Sequence, residues 1–538
     1  MLEGRTRRSR NEGTRVDDSK VASETAASIG EKARFSYAAY AAFLLLVMSP
    51  FLSFARVNFF DAGFDRATFF IFSLGCVLLL GLPVAFLMRC GKGKGARIGL
   101  ALGLMWFGFF LFKSSVPVDL IGRPWLSPTF AFLALLVAFG LCCYFVTAFE
   151  PARTAVFIFA LVLAGMPAAE IAARILSASP HRAAFTPLAL DEVAAAPELR
   201  NVYFVIADAY GSEDSLRRGA EFDNSDFLSS MIEQGYYVAN NAYSPYNLTY
   251  LTISAVLNGD YIAEDDKPSN YQLFYPVTLK HVQPPQVVRQ FRDLGYQFYI
   301  VGNSWADCEG PHVSCVENDD YFIPYSIRAF FEATPLNTAF ALDRATVPAK
   351  QDWNDAIGRV LSLIEDGRMP PNPYFMFVHH LAPHPPYKFM PDCTLRAGYI
   401  DSMLMDSWDA DKKPLYVDNL KCTSRRILEL ARLLEQHDPK AIVIVVGDHG
   451  PAFTVKWEQA LEKWTASEIA ERSGVLSLAR FPARCQEHLS STINSVNLVR
   501  LAFACVSGKR PLLLRNKSFI TGYKPPESDR LRLVADRP

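Results

Sequence analysis

The order of apolar and polar positions divides the chain into two halves of different character. Between about residues 37 and 176 apolar residues run in five blocks, at roughly 37 to 55, 67 to 88, 98 to 113, 129 to 149 and 154 to 176, separated by short polar links. Most of these blocks approach the ~20 residues a helix needs to cross a bilayer core, and the block at 98 to 113 is the shortest. From residue 200 onward the pattern changes. NVYFVIA, QFYIVG, YFMFVHH and AIVIVV are short apolar runs rich in β-branched and aromatic residues and read as buried strands. VVRQFRDLGY, DAIGRVLSLIEDG, TSRRILELARLLEQH and a stretch around 225 to 235 repeat their apolar positions every three to four residues and read as amphipathic helices. Strands that alternate with helices predict an α/β domain with a doubly wound, mostly parallel sheet.

Residues 1–34 are polar, rich in Arg, Ser and Glu, and predict a disordered tail without the apolar core and cleavage site of a removed signal peptide. Residues 177–199 mix small residues, Pro and charge, as a linker does. The expected order is a tail (1–34), a bundle of about five membrane helices (35–176), a linker (177–199) and a sheet domain (200–538) large enough for one core.

Charge orients this plan. Arg5, Arg7, Arg8 and Arg10 precede the first block, and Arg89, Lys92, Lys94 and Arg97 crowd the link between the second and third. Basic residues flanking membrane helices stay on the cytoplasmic side, so five crossings bring residues 200–538 to the outer face, the periplasmic side of a bacterial inner membrane. A formal net charge of −1 and the absence of a basic stripe exclude nucleic acid as the expected partner. Cys76, Cys90, Cys142 and Cys143 lie in or beside apolar blocks, whereas Cys308, Cys315, Cys393, Cys422, Cys485 and Cys505 lie in the second half. In an oxidising compartment these six are expected to pair, Cys308 with Cys315 most easily; the other pairings stay open, as does the reading that all are free thiols.

Candidate chemistry sits where strands end. AIVIVVGDHG carries Asp448 and His449 to the carboxyl edge of the sheet, where open α/β sheets bind ligands. NVYFVIA delivers Asp208 in the same way. One Asp after one strand is most often a turn or cap residue, but Asp208, Asp448 and His449 together offer oxygen and nitrogen ligands suited to Zn²⁺ or Mn²⁺, with Mg²⁺ a further choice. In SPYNLTYLTISAVLNGDY, Thr249 falls at or near a helix N-terminus. It is either an N-cap or a metal-activated nucleophile beside free N–H groups that hold an anion. In HHLAPHPPY, His379 and His380 end a strand, while His384, fixed between prolines, is placed to touch substrate.

The set VIADAYG, SPYNLTYLTISAVLNGDY, FVHHLAPHPPY and VVGDHG resembles the membrane-anchored, sulfatase-like branch of the alkaline phosphatase superfamily, which includes lipoteichoic acid synthases and phosphoethanolamine and phosphoglycerol transferases. The resemblance implies an alkaline phosphatase-like sheet domain behind the membrane helices. It implies Asp208, Thr249, Asp448 and His449 as metal ligands, Thr249 also as nucleophile, and His384 as the histidine that contacts the phosphate or protonates the leaving group. His380 and Trp305 are weaker candidates for substrate contact. The implied reaction moves a phospho-alcohol group, phosphoglycerol or phosphoethanolamine, from a membrane phospholipid donor to an envelope glycan or glycolipid acceptor; the alternatives are a phosphodiesterase, phosphatase or sulfatase-like hydrolase, and a non-catalytic envelope scaffold. Two departures stand out. Thr249 in NLTYLT lacks the C/S-x-P-x-R context of true sulfatases, and the further Asp-x-x-x-His set of two-metal relatives is missing.

Overall fold

The structure, a computed structural model of the 538-residue chain, describes residues 18–59, 66–90, 92–111, 128–177, 185–263, 284–302, 313–316, 327, 330, 355–397, 408–522 and 530–538. The chain forms two units. One comprises Met1–Phe59, Arg66–Ser177 and Ser326–Ala345; the other comprises Phe60–Asp65, Ala178–Tyr325 and Thr346–Pro538.

The first unit is helical: α1 (Asp18–Asn58), α2 (Arg66–Cys90), α3 (Lys92–Leu111), α4 (Pro128–Val146) and α5 (Glu150–Ser177). Among the described residues, Tyr37–Asn58, Arg66–Cys90 and Glu150–Ala173 are long and apolar enough to cross a membrane, and Ala134–Val146 is apolar but shorter. The first helix starts well before its apolar block. The helix begins at Asp18, inside the stretch read as a disordered tail, because its Ala, Glu and Lys residues favour a helix and extend one already nucleated by the apolar block. Residues 1–17 lie outside the described residues. A second finding was not visible in the sequence: Phe330, which lies between strands of the other unit in the chain, is buried in this unit among the rings of Phe51, Phe54, Phe69, Phe72 and Phe110.

The second unit is built on a seven-stranded sheet. Its strands are β2 (Val202–Ala207), β3 (Tyr237–Val238), β4 (Gln297–Gly302), β5 (Ser314–Cys315), β6 (Tyr374–His380), β7 (Ile442–Gly447) and β8 (Ser477–Arg480); β1 (Ala189–Val193) pairs outside it with β9 (Lys509–Pro511). β1 lies within the stretch read as linker. The spatial order is β3-β8-β7-β2-β6-β4-β5. Five successive strands, from β7 to β5, run parallel, while β8 is antiparallel to β7 and β3 to β8. The mostly parallel, doubly wound sheet is therefore as the sequence predicts, closed on one side by an antiparallel edge.

Alternation along the strands divides the core into two layers. Phe204, Ile206, Phe375, Phe377, Ile444 and Val446 face the layer that holds α6 (Thr249–Asn258), α7 (Gln286–Asp293) and, later in the chain, Ser495–Ser507. Tyr203, Val205, Met376, Val378, Val443 and Val445 face the layer of α8 (Ala356–Glu365) and α9 (Lys413–His437). Among the described residues, disulfides join Cys393 to Cys422 and Cys485 to Cys505 in this unit. The expected partner of Cys315, Cys308, lies outside the described residues.

Candidate metal centre

Three adjacent parallel strands end in step. Ala207 of β2 is paired with His380 of β6 on one side and with Gly447 of β7 on the other, so Asp208, the His379–His380 pair, Asp448 and His449 all emerge at one level. Each is buried, at 2% exposure or less. Strand alternation then separates the two histidines. His379 follows Phe375 and Phe377 toward the α6 layer, and its Nε2 lies 3.3 Å from Asp208 Oδ2. His380 turns to the other layer, with Nε2 3.3 Å from Thr423 Oγ1 and Nδ1 3.7 Å from Asp355 Oδ1. The structure thus places the expected substrate contact His380 away from the cluster and brings His379 into it. The parity of YFMFVHH separates the two histidines onto opposite faces, and tertiary packing decides which of them meets Asp208.

The turn after β2 is strained. Ala209 sits at φ +62°, a region that costs a non-glycine residue about 1–3 kcal/mol. Its N–H donates to Asp448 Oδ1 at 3.0 Å, and the Tyr416 hydroxyl donates to its carbonyl at 2.8 Å. The bond to Asp448 keeps the two loops against each other and offsets the strain.

Thr249 opens α6 without capping it. The N-cap is Leu248, whose side chain makes no cap bond, and Thr249 Oγ1 lies 3.2 Å from His449 Nε2. Thr252, one turn on, donates to the carbonyls of Tyr246 (2.9 Å) and Asp448 (3.1 Å), which fixes the start of the helix to the Asp448 loop.

His449 Nε2 also lies 3.4 Å from Asp208 Oδ1 and 3.5 Å from Asp448 Oδ2. Its other nitrogen, Nδ1, is 3.0 Å from the Gly450 carbonyl, and His384 Nδ1 is 2.7 Å from the Pro385 carbonyl. A carbonyl only accepts, so both Nδ1 atoms carry the proton and both Nε2 lone pairs are left for the site. One donor atom each of Asp208, His384 and His449 lies within 4.8 Å of the others. Asp208 Oδ1 and Asp448 Oδ2 are buried and accept no hydrogen bond. Trp305, the remaining candidate, lies outside the described residues.

Electrostatics agree with the geometry. Burial first, then the Asp208 charge, pushes the Asp448 carboxyl up to about 7. Burial raises Asp208 as well, opposed by His384 and Arg472. His449 is driven well below the ordinary imidazole value by burial and by Arg472, and His384 is lowered mainly by burial. Two crowded carboxylates that resist ionising, beside imidazoles that resist protonation, form a set that a divalent cation satisfies: it neutralises the first and accepts the lone pairs of the second. Asp208, Asp448 and His449 fit such an ion and would hold it, with a donor atom of His384 in reach of the same point.

A buried cation borders this cluster. Arg472, on α10 (Ala466–Ser473), is 1% exposed and stacks 5.2 Å from the Trp457 ring centroid. Nothing in the helical stretch around it singled it out, because its environment comes from residues more than 200 positions away as well as from near neighbours.

A family model, Sulfatase, matches residues 200–496, more than half of the chain. No curated protein matches the sequence. Among solved structures, the C-terminal periplasmic domain of EcEptC from Escherichia coli is similar at 14% identity and TM-score 0.40, covering 65% of this chain and 96% of that one. The C-terminal periplasmic domain of phosphoethanolamine transferase EptC from Campylobacter jejuni is similar at 10% identity and TM-score 0.35 (57% and 90% covered). The lipoteichoic acid synthase LtaP from Listeria monocytogenes is similar at 13% identity and TM-score 0.37 (60% and 74% covered).

Proposed function

The chain belongs to the Sulfatase family, and from that premise we propose that it transfers a phospho-alcohol group, phosphoglycerol or phosphoethanolamine, from a membrane phospholipid to an envelope glycan or glycolipid. The observation that carries this reading is the hydroxyl of Thr249, 3.2 Å from His449 Nε2 and next to carboxylates with bare oxygens. A threonine in that place is a nucleophile without the side-chain oxidation that sulfatases require, which favours phosphoryl over sulfuryl transfer. The helices that precede the sheet support a lipid donor and a site on the outer face of the membrane, since three or five crossings leave the same side.

Asp208, Asp448 and His449 would hold a divalent ion, which would supply positive charge to lower the pKa of the Thr249 hydroxyl and to offset the phosphate charge. The residues of the chain do the rest. Thr249 Oγ1 forms the bond to phosphorus while the bond to the diacylglycerol oxygen breaks. His384, whose Nε2 lone pair is free because Nδ1 carries the proton, takes the threonine proton and returns it to the diacylglycerol oxygen. In the second half His384 deprotonates the acceptor hydroxyl, whose oxygen displaces Thr249 from phosphorus, and the proton passes from His384 to the released Thr249 oxygen. The N-terminal N–H groups of α6 face the phosphate throughout.

The test is mass spectrometry of the purified protein after incubation with head-group-labelled phospholipids. A phospho-alcohol adduct on Thr249 in the wild type, and neither adduct nor turnover in a folded Thr249→Ala variant, is the expected outcome. Full turnover in that variant would sink the proposal, and turnover of a soluble phosphodiester without a lipid donor would replace transfer by hydrolysis.

A further inference from the structure

Arg472 is buried beside the metal-binding cluster, yet the steps above do not use it. Its Nε donates at 3.0 Å to the carbonyl of Asn247, two residues before Thr249. Its Nη1 donates at 2.7 Å to the carbonyl of Gly450, and that same oxygen accepts the Nδ1 proton of His449 at 3.0 Å. One rigid guanidinium therefore grips both loops that build the site: the turn that launches α6 with Thr249 at its first position, and the loop after β7 that carries His449. Trp457 lies under its plane at 5.2 Å and fixes the tilt of the fork. The surroundings of Asn247 reinforce the grip, since its side chain exchanges two hydrogen bonds with the backbone of Thr521, N–H to Oδ1 at 3.0 Å and Nδ2 to carbonyl at 2.9 Å.

We propose that Arg472 is a positioning residue that sets the register between Thr249 and His449, so that the threonine oxygen stands over the site at attacking distance. The inference rests on the transfer reaction proposed above. A buried guanidinium is costly to desolvate, and a purely structural link between two loops is made more cheaply by an apolar contact. The fork geometry supplies what an apolar contact does not. It fixes two carbonyl directions at once, and through the shared Gly450 oxygen it holds the His449 ring in the tautomer that aims Nε2 at Thr249. Lysine, a point charge on a flexible stem, reaches one of the two carbonyls at a time.

The experiment compares the full-length wild type with Arg472→Met and Arg472→Lys. For each it measures thermal unfolding, Zn²⁺ and Mn²⁺ affinity by chelator competition, and kcat and KM for transfer from the labelled phospholipid. Misplacing a reacting group by about 1 Å costs about 100-fold in rate. The expected result is a fall in kcat of about that size in Arg472→Met and a smaller one in Arg472→Lys, with KM and metal affinity within about threefold of wild type. An unchanged kcat in either folded variant overturns the role, as does a fall in kcat that only tracks a parallel loss of metal affinity. If both variants fail to fold, Arg472 is structural and the proposal is wrong. A wild-type enzyme that never forms phospho-Thr249 defeats the transfer reading instead, which is a separate outcome.

Discussion

The two ends of the same three strands treat buried polar groups in opposite ways. At the amino end, Asn201 sits between β2 and β6 and spends its side chain fully. Its Nδ2 donates to Asn372 Oδ1 (2.9 Å) and Asp438 Oδ2 (2.7 Å), and its Oδ1 accepts from the Tyr374 N–H (3.2 Å). The hydroxyls of Tyr203 and Tyr374 bond each other alongside. At the carboxyl end, about one strand length away, Asp208 Oδ1 and Asp448 Oδ2 are fully buried and accept nothing. Buried oxygens left bare separate a binding cluster from a structural one whose polar atoms are paired, because an unsatisfied buried carboxylate oxygen persists only where something else compensates it.

This contrast breaks if the carboxyl end is not a binding site. The largest expected effect follows Asp448→Asn. Metal affinity, measured by chelator competition, should fall more than about 100-fold, while above pH 7, where Asp448 is ionised, the metal-free protein gains about 1–3 kcal/mol because the charge beside a bare oxygen is removed and the Ala209 bond is kept. Lower thermal stability of the metal-free variant would show that the charge is already compensated.

The pH dependence should change sign with metal. Without it, Asp448 holds a proton in the folded state up to about 7 that the unfolded chain, at the ordinary value of 3.8, has released. Folding therefore binds a proton in that window, and stability falls as pH rises from about 4 to about 7. With metal present the carboxylate must be ionised, so affinity rises with pH over the same window by about tenfold per unit and levels off above it. Urea unfolding across pH with and without a chelator tests both slopes.

The amino end should respond in the reverse manner. Asn201→Ala leaves Asp438, Asn372 and the Tyr374 N–H short of a partner and should cost about 2 kcal/mol in urea unfolding with metal affinity unchanged. The smallest effect is expected for His380→Gln, on the far side of the sheet: turnover and metal affinity within about twofold of wild type, and a stability loss of about 1 kcal/mol from its Thr423 and Asp355 contacts. A large loss of metal affinity in either variant would erase the distinction between the two ends or the two faces.

Much of this was legible in the residues alone. Runs of apolar residues long enough for a membrane and the alternation of strands with helices specify local structure through burial alone, so the helices, the sheet and its parallel core follow from pattern. Strand ends with Asp or Asp-His, and a Thr at the start of a helix, mark chemistry because a parallel sheet collects strand ends at one edge. Other features depend on partners distant in sequence. The pairing of Cys393 with Cys422 and of Cys485 with Cys505, the burial of Phe330 among helices that precede it by more than 200 residues, and the two carbonyls in the grip of Arg472 have no local signature. The same holds for the choice between His379 and His380: pattern supplies the alternation, but only the packed sheet says which face carries Asp208 and which carries Thr423. Sequence by itself determined the long apolar helices, the buried strands and which groups reach the edge. Tertiary structure decided which of them meet and which oxygens are left bare, because hydrogen-bond satisfaction is a property of neighbours in space.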